Sequence, residues 1–515
     1  MSSSDEMSIN DADDGTNNKQ QQTKIRISFH LSPSVRHNRH QLELPSEPMA
    51  VPSNIRKRGL SAIVNHLLDR GDNQDDDADS DEEEDEERLP AIPFDFLLND
   101  KLLRLPLDSA ARNMGLSTEH ALELHYFPAR LPPKKEGESE ELPDWIMVME
   151  YNRGLDVEGE GGGGRLWCGG ADGVIRTFEQ HVKEEGGELR SGCVISAHTG
   201  PIKCISSLTD VASSSSDNRT YIATGSMDQT LVTHLYNAKK DEMSLHAVYS
   251  GGHGNSISSV ALAAADGGDK RIMASGDWDG GLAIWNVPGD SSSGNGDDAA
   301  GGGSKASKKR KDNNSKSTSS NGDGGAAIQE VQPIQSVRAH SSNISGLAWG
   351  YNNSSSSSSS LPTTLLTGSW DHGLKVYDVS RMDCILALNG SRVVTSLSRC
   401  SNSDVVATGS PDCTVRLWDM RTNGEGSSGS QIADKTLRQS HKSWVSAIQW
   451  SPTDPFVLAT TSHDGTLKVW DIRSSLPLHT VKATTAKGEK SLCLAFGDGF
   501  IYSGGSDCVV KKFAL

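Results

Sequence analysis

Between Leu365 and Asp378 the chain reads LLTGSWDHGLKVYD, and the same plan recurs as RLWCGGADGVIRTF, YIATGSMDQTLVTH, RIMASGDWDGGLAIW, VVATGSPDCTVRLW, VLATTSHDGTLKVW and IYSGGSDCVVKKF. A short apolar run ends in small residues. An Asp then opens a tight turn, and a second short run closes on an aromatic. The turn aspartates are Asp172, Asp228, Asp279, Asp371, Asp412, Asp464 and Asp507, and six residues after each stand Phe178, His234, Trp285, Tyr377, Trp418, Trp470 and Phe513. Six of these seven are aromatic in a chain with 5% aromatics, so composition alone does not produce the coincidence. A unit this short cannot bury its own faces. Neighbouring copies can cover one another, so the period of the repeat decides the architecture.

The turn aspartates are spaced by 56, 51, 92, 41, 52 and 43 residues. A propeller blade takes about 40–45 residues. The excess sits in low-complexity loops, Ser213 to Asp217, Ser354 to Ser360 and Gly424 to Ser430. The longest, Pro288 to Gln332, is 45 residues, and 92 minus 45 leaves 47, one blade plus an insertion. The expected fold is therefore an all-β seven-bladed propeller over residues 145–515. Each blade is a four-stranded antiparallel sheet, packed radially so that no long edge stays open. The last copy reaches only its third strand at Phe513. Its outer strand is expected from the N-terminal side, from Phe127 to Leu131, at the start of a linker and closing stretch over 128–144.

Residues 1–23 are polar and of low complexity, and are expected to be disordered because they cannot bury enough apolar surface to offset ordering entropy. KIRISFHL, from Lys24, alternates as a strand does. In PSNIRKRGLSAIVNHLLDR, Leu60, Ile63, Val64, Leu67 and Leu68 form one helical stripe. PFDFLLNDKLLRLPL reads as two strands around Asn99-Asp100, and ALELHYF as a last strand. Together they predict a ubiquitin-like α+β domain over 24–127 with an acidic loop insertion at 71–89. Net charge is −18, but Asp72 to Glu87 holds 12 acids and no base, leaving −6 elsewhere, so the acidity is local. The first residues, MSSSDEMSINDADDG, do not resemble a secretory leader, and no run approaches the roughly 18 apolar residues of a membrane span. The 8 cysteines include no C-x-x-C pair, which argues for reduced thiols rather than a disulfide frame or zinc site.

Four repeats carry a histidine upstream of the turn Asp: His198, His253, His340 and His441, with Asp–His separations of 30, 26, 31 and 23. With Asp228, Asp279, Asp371 and Asp464, with Ser369 and Ser462, and with Trp285, Tyr377, Trp418 and Trp470, they predict a buried polar network; Asp412 and Asp507 occupy the same turn position without a histidine. Ser, His and Asp also fit a hydrolase. Recurrence argues otherwise, because a catalytic triad is needed once whereas a strand-joining network is needed in every blade. The sequence has no H-E-x-x-H, no phosphate-binding G-x-x-x-x-G-K-[ST] and no nucleophile elbow, so no catalytic residue and no cofactor is expected. KASKKRKDNNSK is a basic cluster, and Lys308, Lys309, Arg310 and Lys311 fit a nuclear import signal or a weak nucleic-acid patch. In GLSTEHA, before the last strand of the small domain, Glu119 is an acid on a loop.

KIRISF, RGLSAIVNHLL, FDFLLNDKLLR and GLSTE together resemble the Notchless-like N-terminal domain. With seven WD repeats and a basic insertion after the third, the chain from 24 to 515 resembles the WD-repeat subunit of the PeBoW ribosome-biogenesis complex. The resemblance implies a non-enzymatic nucleolar factor of large-subunit assembly and pre-rRNA processing, partnered by pescadillo and block-of-proliferation homologues and found in nucleolus and nucleoplasm. It also implies that midasin, an AAA ATPase, grasps the N-terminal domain, with Glu119 completing the coordination of midasin's metal. The metal is the partner's, and no metal of its own is expected here. Two rivals remain. A Notchless-type factor shares the N-terminal domain but has an extra blade, and a WD-repeat receptor of a ubiquitin ligase would leave that domain unexplained. The fifth repeat has Gly390-Ser391 and the seventh Lys487-Gly488 where others have His, which predicts looser blades.

Overall fold

The computed structural model describes residues 24–35, 39–70, 90–153, 164–179, 189–209, 219–264, 270–289, 329–350, 361–390, 392–420 and 435–515. The N-terminal tail, the acidic run and the basic cluster at 308–311 lie outside them. The chain divides into two compact units, Met1–Leu131 and Pro132–Leu515.

In the first unit, β1 (Lys24–Leu31), β2 (Met49–Pro52), α1 (Lys57–Leu67), β3 (Phe94–Leu98), β4 (Lys101–Leu102), α2 (Leu107–Asn113) and β5 (Leu122–Pro128) follow in order. The sheet order is β2-β1-β5-β3-β4, with β1 and β5 parallel at its centre. Alternation in KIRISFHL puts Ile25, Ile27 and Phe29 on the covered face, against Leu60 and Val64 of α1 and Ala111 of α2. Leu67 departs from the expected stripe and is exposed. Asn99 and Asp100, with φ of 49° and 58°, make the tight β3–β4 turn, as two-residue hairpins require. β2 and α2 add to the elements expected from the sequence, and the result is the expected ubiquitin-like α+β domain.

The described residues of the second unit form seven sheets. Each begins with an inner strand, from Ile146–Asn152 in the first to Ser491–Phe496 in the last. Every inner strand packs on the next, and the last returns to the first, so the ring is closed. Alternate side chains of neighbouring sheets fill the gaps between blades. Trp470 of the sixth, for example, packs with Val415 and Leu417 of the fifth.

The outer strand of the seventh sheet comes from the N-terminal side, but not from Phe127 to Leu131. It is β6 (Lys134–Glu138), antiparallel to Lys511–Ala514. Phe127 is unavailable because its backbone is committed to β3 opposite Asp95, and Ala129 N–H donates to Pro93 O. Past β6 the chain is fastened on two sides. Ser139 N–H donates to Val510 O (2.9 Å) and Leu142 N–H to Cys508 O (2.8 Å), while Glu138 O accepts from Leu189 of the first blade (3.1 Å).

The long insertion leaves the third sheet after its strand Gly281–Val287, within the blade rather than after it. It was expected to be loop as far as Gln332. Instead Gln329–Val331 forms a fifth strand on the second sheet, parallel to Glu242–Tyr249, and Gln335–Arg338 then completes the third. Among the described residues no helix is long and apolar enough to cross a membrane.

Candidate partner-binding site

The turn after each second strand has one backbone shape. The residue following the turn Asp has positive φ in all seven blades: Gly173, Gln229, Gly280, His372, Cys413, Gly465 and Cys508. At Gly280 (φ 87°) a Cβ would stand 2.2 Å from His340 O, so only glycine fits there. This shape lets the Asp reach its own turn and the loop leading into the inner strand of its own blade together. Asp464 accepts from Thr466 N–H (3.0 Å) and Lys442 N–H (2.8 Å) and sits 3.3 Å from His441 Nδ1.

His441 Nε2 meets Thr460 Oγ1 at 2.8 Å, and Trp470 Nε1 donates to the same oxygen at 2.9 Å. One proton arrangement satisfies every group: Trp470 donates to Thr460, Thr460 to His441 Nε2, and His441 Nδ1–H to Asp464. His340 joins Thr367 (2.7 Å) and Asp371 (3.0 Å) in the same way, and His198 joins Thr224 (3.0 Å) and Thr230 (2.6 Å) beside Asp228. Burial holds His198, His340 and His441 below the usual imidazole range, despite the nearby carboxylates. Burial alone would raise Asp228, but hydrogen bonds from the Thr230 hydroxyl and N–H and from Thr199 N–H, with His198 beside it, together bring it down to about 2.

The network corrects three expectations. In the third blade the acid is Asp277, not Asp279: His253 Nδ1 lies 2.9 Å from Asp277, whose other oxygen accepts the Asp279 and Gly281 N–H groups. Ser369 and Ser462 do not touch the histidines. They bond Ser342 O and Ser443 O and cap the turn, while the linking hydroxyl stands two residues earlier, on Thr367 and Thr460. Tyr377 likewise donates to Ala339 O rather than joining the set. Thr367 and Thr460 are fully buried, so these hydroxyls have no access to a substrate. Blades without a histidine are not left unpaired either. A cation four residues past the Asp takes its place: Arg176 on Asp172, Arg416 on Asp412 (both 2.5 Å) and Lys511 on Asp507. In the fifth blade Trp418 still donates to Thr408 (2.9 Å).

On the small unit, Glu119 lies in the loop between α2 and β5. The loop begins at Gly115 (φ 69°), whose N–H donates to Arg112 O, and Leu116 N–H returns to Ala111 O. Met114 and Leu116 pack on the core on either side of this glycine. Glu119 N–H then meets Ser117 Oγ at 3.3 Å, and Leu122 is buried where β5 starts. The loop is thus pinned at both ends. Glu119 is exposed, and no described side chain pairs with its carboxylate. No group of three or more metal-ligating side chains occurs among the described residues. All eight cysteines are free, and Cys508 sits in the last turn.

A small grasp-type domain joined to seven turn-networked sheets defines the class. The NLE (NUC135) domain matches residues 35–111, and the WD domain, G-beta repeat matches 190–232, 331–378, 382–419 and 434–471. A ribosome biogenesis protein WDR12 homolog of Chlamydomonas reinhardtii is 30% identical over 92% of this chain and 94% of its own length. Homologs of the same name from Dictyostelium discoideum (27%, 97% of both chains) and Oryza sativa subsp. japonica (26%, 96% of both) match likewise. The chain belongs to this WDR12 family of ribosome biogenesis proteins.

Proposed function

We propose that the chain is a non-enzymatic scaffold of large-subunit assembly. It acts with pescadillo and block-of-proliferation homologues in nucleolus and nucleoplasm and supports pre-rRNA processing. Midasin removes it by binding the small domain through Glu119. The observation that carries the reading is an exposed, unpaired carboxylate on a loop pinned at both ends. Such an oxygen suits a hard divalent cation with an open position, supplied by the partner. Only Ala129 to Pro133 separate β5 from β6, so tension on the small domain enters the propeller through its closing strand. Seven sheets favour this reading over a Notchless-type factor, which has an extra blade.

Glu119→Ala should abolish midasin capture in a pull-down while pescadillo still co-purifies and the melting temperature holds. Normal capture would defeat the assignment. The basic run is proposed to direct nuclear import. Replacing Lys308, Lys309, Arg310 and Lys311 together should move a fluorescent fusion to the cytoplasm, and an unchanged nuclear signal would reject that role.

A further inference from the structure

At one end of the propeller's central funnel, a second repeated bond arranges side chains that the turn network does not use. The residue before the turn Asp donates its N–H to the residue leading into the inner strand of the same blade. The pairs are Ala171 to Trp145, Met227 to Pro201, Trp278 to Ser256, Trp370 to Asn343, His463 to Trp444 and Ser506 to Lys490, all 2.9–3.0 Å. Seven of these residues, Trp145, Trp278, Asn343, Trp370, Trp444, His463 and Lys490, line a funnel of about 460 Å³.

Four tryptophans stand there. Trp145, Trp278 and Trp444 are 47%, 40% and 47% exposed. Trp278 and Trp370 lie 5.2 Å apart, and Trp444 stacks on His463 at 5.9 Å and 13°. The wall is otherwise built of Val148, Met149, Val445, Leu492 and Leu494 together with small hydroxyl residues such as Ser345 and Ser446. A monomer seldom leaves so many large aromatics together in water unless something covers them, and tryptophans are enriched among the residues that dominate interfaces.

The charge of the lining is one-sided. Lys203 and Lys490 line the funnel, no carboxylate does among the described residues, and neither ammonium has a described partner. Lys203 is half-buried, and burial lowers its pKa, a cost that an incoming anion would offset. We infer that this mouth docks a protein segment presenting a large apolar side chain flanked by carboxylates. The apolar side chain enters between the tryptophans and the carboxylates meet Lys203 and Lys490. Single-stranded RNA could also stack on tryptophan. It fits less well, because phosphates need dense cations, whereas the lining offers two lysines and no arginine.

The proposal is independent of Glu119 and can fail separately. With the full chain, fluorescence anisotropy would compare a labelled peptide carrying a central Leu-Phe between glutamates, its lysine-flanked counterpart, and decauridylate. The glutamate peptide should bind at least about tenfold tighter than the lysine peptide, and Trp278→Ala or Trp370→Ala should weaken it by about tenfold or more. Lys490→Glu, at an exposed side chain, should keep the melting temperature and reverse the preference between the two peptides, which holds the test even if a tryptophan variant misfolds. Equal binding of both peptides, binding of neither, or tighter binding of decauridylate would overturn it.

Discussion

A chain starting at Asp144 should be far less stable than one starting at Pro132, because the second keeps β6 and the first loses it. β6 contributes four register pairs with Lys511–Ala514. Beyond it, Ser139 N–H bonds Val510 O, Val510 N–H bonds Ser139 Oγ at 3.0 Å, Leu142 N–H bonds Cys508 O, and Leu189 N–H bonds Glu138 O. Roughly eight hydrogen bonds, at a net of about 1 kcal/mol each, amount to about 8 kcal/mol. That approaches the roughly 5–15 kcal/mol that holds a whole domain together. Urea unfolding followed by tryptophan fluorescence would read it. With a slope of about 3 kcal/mol/M, the midpoint should fall by more than about 2 M. Both chains lack the small domain, so the difference belongs to the closing segment. Coincident unfolding curves would refute the view that this strand holds the ring shut.

Two buried side chains predict opposite pH dependences. His234 replaces an aromatic, its Nδ1 has no partner, and burial lowers its pKa to about 4. The unfolded chain therefore takes the proton first, and stability present above about pH 6.5 is lost as pH falls toward 4, by about 2 kcal/mol between pH 7 and 5. His234→Phe should remove that loss, and an unchanged urea midpoint profile would contradict it. Glu150 has a buried, unpaired Oε2 and is raised by burial to about 8. Its ionisation is easier in the unfolded chain, so stability is highest below about pH 4.5 and falls as pH rises through 8. Glu150→Gln should gain about 3 kcal/mol at pH 7 and little at pH 4.5, and equal gains at both would rule out the titration.

The repeats were legible because the turn Asp and the closing aromatic carry a fixed spacing, and spacing survives the loops between them. The closing strand was not. KKEGE has no alternation to mark it, since β6 lies at the edge with mostly exposed side chains. GDWDGG offers two acids to one site, and only the turn geometry shows that Asp277 takes the histidine. The linking threonines were hidden for a different reason: Thr and Ser both look like small strand-end residues, and which one reaches inward depends on the pleat. Glu119 was legible as a loop acid because the buried Leu122 marks where the strand resumes. The tryptophans before the turn Asp stood within the repeat itself, but their convergence on one rim depends on ring closure, which no single repeat encodes.

Ser139 and Val510 are bonded although 371 residues separate them. During synthesis the first half of this clasp leaves the ribosome long before the second exists. Until Ser491–Phe496 emerges, the first blade's inner strand has no seventh neighbour, and until Lys511–Ala514 follows, the latch has nothing to grip. The nascent protein therefore passes most of its synthesis as an open arc with two exposed sheet faces, the condition in which chaperones are most needed.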